Sequence, residues 1–275
     1  MGDAVATSAK VLELGLVVAG VAQLWRRVIS PRARASRPAA ALQFWEVTGS
    51  DLVLFLAFVA AGGIGLQLAA VRLAAHFSLT ADSRLIAAAA GFQAGMLAGV
   101  AAFHVARPGA ASPRPPLPAA LATGAATFLV SLPVLALVAL VWQNGLDLVG
   151  LPVEQQDLMD LFVSAHSRVL RAVLVVFAVI IAPVTEELIF RRGIFRFLRG
   201  RVPRWVALWA PALLFGALHV SWGTLDGLSA LAPLVVLGVV FSIAYERTGR
   251  IGTAIVAHAL FNLNTVVLVL AGVNV

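Results

Sequence analysis

The chain has no cysteine and a single tyrosine, and only 12% of its 275 residues are charged. Without cysteine there are no thiol nucleophiles, disulfides or thiolate metal sites. Carboxylate, imidazole, amide and guanidinium groups are left to carry chemistry. The shortage of charge excludes an ordinary soluble domain, in which about 25% of residues are charged and about 45–50% apolar. Here 61% are hydrophobic and the mean hydropathy is +0.96. The apolar runs are about 20 residues long and lack period-2 alternation, which selects helices over a barrel as the way to satisfy the backbone in lipid. The expected fold is all-α: a polytopic transmembrane helical bundle of about eight spans with a polar intramembrane cavity.

The apolar runs place spans near 11–25, 51–75, 86–106, 117–142, 169–199, 204–221, 229–246 and 251–271. The first is short and holds Glu13, and Trp25-Arg26-Arg27 follows it, which suits a retained anchor better than a cleaved signal. The net charge of +7 does not point to nucleic acid, because the arginines gather in alternate loops. Arg26, Arg27, Arg32, Arg34 and Arg37 follow the first span, Arg107 and Arg114 the third, and Arg247 and Arg250 the seventh. Arg191, Arg192, Arg196, Arg199, Arg201 and Arg204 surround the turn after the fifth. The positive-inside bias makes these loops cytoplasmic and turns both termini outward. The opposite segment 143–166, with Asp147, Glu154, Asp157 and Asp160, reads as a partly amphipathic outer region. Residues 107–118, RPGAASPRPPLP, read as a Pro-rich connection. No repeat of 20–50 residues is visible.

Residues 185–192, TEELIFRR, end one of the most apolar stretches. Glu187 and Arg191 stand four apart in the order that favours a pair on one helix face. Glu186 lies about 100° around the helix from Glu187, and an intramembrane carboxylate tends to face a cavity or a partner. Two further helices carry polar pairs at the same spacing: Phe215 and His219 in FGALH, and His258 and Asn262 in HALFN. Counting 1.5 Å per residue from the turn at Gly200–Pro203 places Glu186 and His219 level, roughly 20–25 Å up an antiparallel hairpin. His258 and Asn262 reach a similar depth along the last span. Pro183 should free a carbonyl and loosen the helix before the glutamates, and Pro211 should do the same below His219.

These groups admit two designs. Glu186 with His219 could deprotonate a water while His258 and Asn262 donate to an oxyanion. Alternatively, Glu186, His219 and His258 could hold zinc. The cofactor is therefore zinc or none. The one-helix zincin motif HExxH is absent. GLSA at 227–230 superficially suits a serine protease, but Ser229 starts its span on the side opposite His258. Other histidines read as interfacial: His104 near an inner span end, and His76 and His166 near outer ends. Trp205, Trp209 and Trp222 read as belt or packing residues.

EELIFR at 186–191, FGALH at 215–219 and HALFN at 258–262 resemble the ordered motifs EExxxR, FxxxH and HxxxN of the CPBP intramembrane protease family. That family includes CAAX prenyl endopeptidases and bacteriocin-processing or immunity relatives. The resemblance covers about residues 165–271 and divides the chain into amino-terminal spans without a family motif, 1–164, and a catalytic transmembrane core, 165–275. It implies an endopeptidase of membrane-associated or lipid-modified peptides. Glu186 would be the water-activating residue assisted by His219, Glu187 and Arg191 a supporting pair, and His258 and Asn262 the oxyanion-stabilising pair, whether as a metalloprotease or by a glutamate-based route. The partners expected are membrane lipids and a membrane-associated peptide or protein, and the location a prokaryotic inner membrane with the site nearer the cytoplasm. A non-catalytic scaffold or immunity protein of the same fold is the alternative reading. A proton-coupled transporter, which relays protons through buried Glu and His, fits less well because repeated halves are absent. Arg192, where the family commonly has a small residue, reads as an inner-interface anchor.

Overall fold

The computed structural model describes residues 2–36, 39–77, 79–107, 117–151 and 167–273. Helices dominate: α1 (Ala4–Ile29), α2 (Gly49–His76), α3 (Ala81–Ala106), α4 (Pro118–Leu148), α5 (Arg168–Arg199), α6 (Arg204–Ala217), α7 (Leu228–Thr248) and α8 (Ile251–Leu270). All but α6 are long and apolar enough to cross a membrane. This is an integral membrane protein built as a helical bundle. The described residues contain no strand, only an isolated bridge between Ser221 and Asp226.

Two expectations about boundaries change. The sixth run was read to residue 221, but α6 stops at Ala217 and is 14 residues long. The chain then turns through Leu225 and Gly227, both with positive φ, before α7. In the outer segment 143–166, the fourth helix continues to Leu148. Residues 152–166, with Glu154, Asp157, Asp160 and His166, lie outside the described residues, as do Arg37 and most of the Pro-rich connection, including Arg114.

Local sequence explains where the helices begin and how closely they pack. Thr48 and Asp51 form a capping box at the start of α2, and Thr80 caps α3 through the Ser83 amide. The pair α2–α3 is drawn together by glycines: a Cβ on Gly95 would fall 2.0 Å from the Gly62 carbonyl oxygen, and one on Gly99 2.2 Å from that of Phe58. Small residues of this kind let backbones approach where lipid supplies no hydrophobic drive between helices. α1 lies on α4, which packs on α7 and α8, and α6 packs on α7. A bond of 2.7 Å between the Thr123 and Thr253 hydroxyls ties α4 to α8.

α5 is not a uniform helix. Phe177–Ile181 and Glu187–Phe195 are π-helical, separated by the α-turn Ala182–Glu186. The cause at the first wide turn is readable. The Ala182 amide bonds the Phe177 carbonyl, five residues back. The next amide in that register would serve Ala178, but residue 183 is proline and has no N–H. The Ala178 carbonyl is released from its helix, in the neighbourhood where Pro183 was expected to free one.

The arginines around the α5–α6 turn do more than anchor the helix ends. An extended segment, 39–48, runs beneath the bundle and is bound there by main-chain and guanidinium bonds. The Ala41 and Leu42 amides both donate to the Glu246 carbonyl at 3.1 Å. Arg196 donates from Nε to Gln43 O at 2.7 Å, and Arg201 reaches the carbonyls of Trp45 and Val47. Arg199 and Arg204 both pair with the Glu246 carboxylate. Trp45 then enters an aromatic cluster, its ring centroid 5.5 Å from Phe55 and 5.7 Å from Phe103.

Candidate active site

The polar groups near the middle of α5 meet α8 first. Glu187 is fully buried, and its Oε1 accepts two bonds of 2.9 Å, from Arg191 Nη1 and from His258 Nδ1. Arg191 is 1% exposed, and its guanidinium lies over the Phe215 ring, 4.5 Å from the centroid, with Phe241 at 5.4 Å. A buried charge is tolerable only when paired and bonded, and here carboxylate, guanidinium and aromatic faces meet that need together. Among the described residues Arg191 Nη2 and Glu187 Oε2 have no hydrogen-bond partner, so the cluster holds polar capacity in reserve.

His258 joins the two glutamates. Nδ1–H donates to Glu187, and on the other side of the ring Nε2 stands 3.7 Å from Glu186 Oε2. The two atoms are too far apart to hydrogen-bond directly. Glu186 is the more open of the two acids, with 22% of its side chain exposed.

His219 is placed differently from its partners. It sits in the turn after α6 and bonds the Phe215 carbonyl through Nδ1 at 2.7 Å. Its ring centroid lies 4.7 Å from that of Phe215, which also lies 6.0 Å from His258 and 5.3 Å from Phe190. Phe215 thus contacts both imidazoles, and among the described residues no ion pair joins His219 to Glu186. Asn262, one turn beyond His258, donates from Nδ2 to the Ala178 carbonyl at 2.7 Å, filling the acceptor that Pro183 releases. The amide has a second N–H.

Among the described residues no three His, Asp or Glu side chains are grouped to hold a metal ion, so the expected zinc set of Glu186, His219 and His258 is not assembled in this arrangement. The expected metalloprotease character finds no support in the donor geometry.

Residues 168–264 match the family described as type II CAAX prenyl endopeptidase, Rce1-like. This part of the chain resembles that family. The match bears out the resemblance carried by the three motifs, and the Rce1-like segment contains α5 to α7 and most of α8. An uncharacterized protein of Mycoplasma capricolum subsp. capricolum is 29% identical over 102 residues, 37% of this chain and 29% of its own length. YdiL of Bacillus subtilis, named as a candidate membrane peptidase, is 31% identical over 101 residues, 37% of this chain and 39% of its own length. The matched stretch therefore spans well under half of either relative. No solved structure matches the chain significantly.

Sequence reasoning brought Glu186, Glu187, Arg191 and His258 onto neighbouring helices but did not reveal the Glu187–His258 bond, because its partners are 71 residues apart. It also passed over a second polar site. His104 and Arg192, read as interfacial, line a narrow pocket with Trp45, Phe55 and Arg196. The two arginines of the RR pair point to different places, Arg191 inward to Glu187 and Arg192 toward α3, and nothing in the pattern of hydropathy signals that.

Proposed function

We propose that the protein is an intramembrane endopeptidase that hydrolyses a membrane-associated or lipid-modified peptide, with Glu186 as the base. The Glu186–His258 spacing of 3.7 Å, with Glu187 fixing the ring, carries the reading. A water placed between them donates one hydrogen to the Glu186 carboxylate and one to Nε2, which leaves an oxygen lone pair aimed away from both. Attack on a peptide carbonyl passes the proton to Glu186, which returns it to the departing amine. Glu187 holds the His258 tautomer and Arg191 holds Glu187, so neither needs to touch the substrate.

His219 donates from Nδ1 to a carbonyl, and its Nε2 is therefore an acceptor. A substrate that brings the water within reach of His219 lets it assist Glu186 in taking the proton. Asn262 supplies its second N–H to the oxyanion. This reading moves His258 from the oxyanion side to the water side. The Rce1-like match of 168–264 supports the reaction class, and the arginine-rich ends support a cytoplasmic-side site in a prokaryotic inner membrane. The amino-terminal spans, 1–164, brace the catalytic core, 165–275, through the segment 39–48.

The test compares membrane peptides in cells carrying the wild-type chain or the Glu186→Ala variant. Peptides that shorten only with the wild type support the proposal. Identical peptide profiles from equally abundant, folded proteins would refute it.

A further inference from the structure

The pocket on the far side of α5 has the opposite polarity to the proposed active site. Trp45 is 97% buried, being 3% exposed, yet its Nε1–H has no hydrogen-bond partner among the described residues. Neither do both ring nitrogens of His104 and the Nε of Arg192, all of them buried atoms. Each lines the same pocket, and Arg196 lines it too. No acid among the described residues pairs with Arg192. Three elements, the 39–48 segment, α3 and α5, thus converge donors and positive charge on one place and supply no anion. A buried polar group without a partner is costly, and the partly buried Arg192 brings its Nε to the same place.

The depth of this pocket identifies the anion's source. His104 is two residues from the end of α3 and Phe55 six residues into α2, so the pocket lies within about 3–9 Å of the helix ends. That is the level of the lipid headgroups. Its walls come from α2, α3, the 39–48 segment and the face of α5 that carries Leu188, Arg192 and Arg196, while Glu186 lies beside His258 of α8. We propose that Trp45, His104 and Arg192 form a docking site for the phosphate of an anionic phospholipid headgroup. Arg192 donates side-on to the non-bridging oxygens, as guanidinium groups do to phosphate. Trp45 Nε1–H and one His104 N–H complete the set. As it stands the pocket has no room for a water-sized group, so Arg192 must turn on its flexible stem to admit the phosphate. Basic pockets between membrane helices on the cytoplasmic side bind such lipids.

Native mass spectrometry of the full chain, with dioleoylphosphatidylglycerol, dioleoylphosphatidylcholine or inorganic phosphate as probe, tests this. The wild type should retain one phosphatidylglycerol more tightly than phosphatidylcholine. Arg192→Gln should weaken that site about fivefold. Trp45→Phe, which keeps an aromatic ring and removes only the donor, should weaken it measurably, whereas Arg26→Gln on α1 should not. Displacement by millimolar inorganic phosphate would assign the same oxyanion chemistry to free phosphate instead of lipid. Equal retention of phosphatidylglycerol by the wild type and Trp45→Phe overturns the proposal even if Arg192→Gln fails to fold. Displacement by a peptide with a free carboxyl terminus, but not by its amide, overturns it in favour of a peptide site.

Discussion

The Glu187–Arg191 pair makes the sharpest quantitative test. Both side chains are essentially inaccessible, at 2% and 0%, so solvent does not screen what is lost when one is removed. Arg191→Met keeps the length and apolar stem but leaves Glu187 with only His258 as a donor. Breaking a buried pair from one side costs about 3–5 kcal/mol, and at about 2–4 °C per kcal/mol for a chain of this size class the unfolding midpoint should fall by roughly 6–20 °C. Replacing both, Glu187→Leu with Arg191→Met, removes the stranded charge and should recover most of that loss, since apolar substitutes for a buried pair are often neutral. A residual deficit of about 1 kcal/mol remains because His258 Nδ1 has lost its acceptor. Thermal unfolding of the detergent-solubilised variants, followed by circular dichroism, reads all three. A double variant as unstable as Arg191→Met would refute the reasoning, as would a single variant that melts like the wild type. The double variant should be stable and nevertheless inactive in peptide cleavage, because the imidazole is no longer fixed.

Asn262→Leu should cost about 1 kcal/mol by leaving the Ala178 carbonyl without its donor. The same substitution in a Pro183→Ala background should cost less, because an amide is restored at residue 183, and a double-mutant cycle of unfolding free energies measures the difference. Gly95→Leu should force α2 and α3 apart and lower stability by about 1–3 kcal/mol, seen as an earlier thermal transition. Arg201→Ala removes bonds to the Trp45 and Val47 carbonyls and should raise hydrogen exchange of residues 39–48 while leaving α7 and α8 protected.

Much of this was legible in the sequence because hydropathy and spacing are local properties. Long apolar runs mark the spans, and the three polar motifs select the helices that must meet. The α5–α6 hairpin places Glu186 and His219 near one level by arithmetic alone, but among the described residues only His258 pairs with the glutamates. Rise per residue does not resolve side-chain direction at a helix end, and His219 lies in the turn after α6, not on it. The 39–48 segment was invisible for another reason. Its attachments are main-chain carbonyls, which every residue has, gripped by arginines whose spacing also suits plain interfacial anchoring.

The wide turns of α5 carry a last consequence. Each adds backbone without adding a full α-helical turn, so the glutamates and the arginine tail obey different phases of one rod. Forcing one wide turn between Glu187 and Phe195 into ordinary α-helix, with no residue removed, would leave a rod equally apolar and equally able to cross a bilayer. Arg196 and Arg199 would then swing by about 100°, off Gln43 and Glu246, and the amino-terminal segment would lose its moorings while the spanning helix kept its outward character.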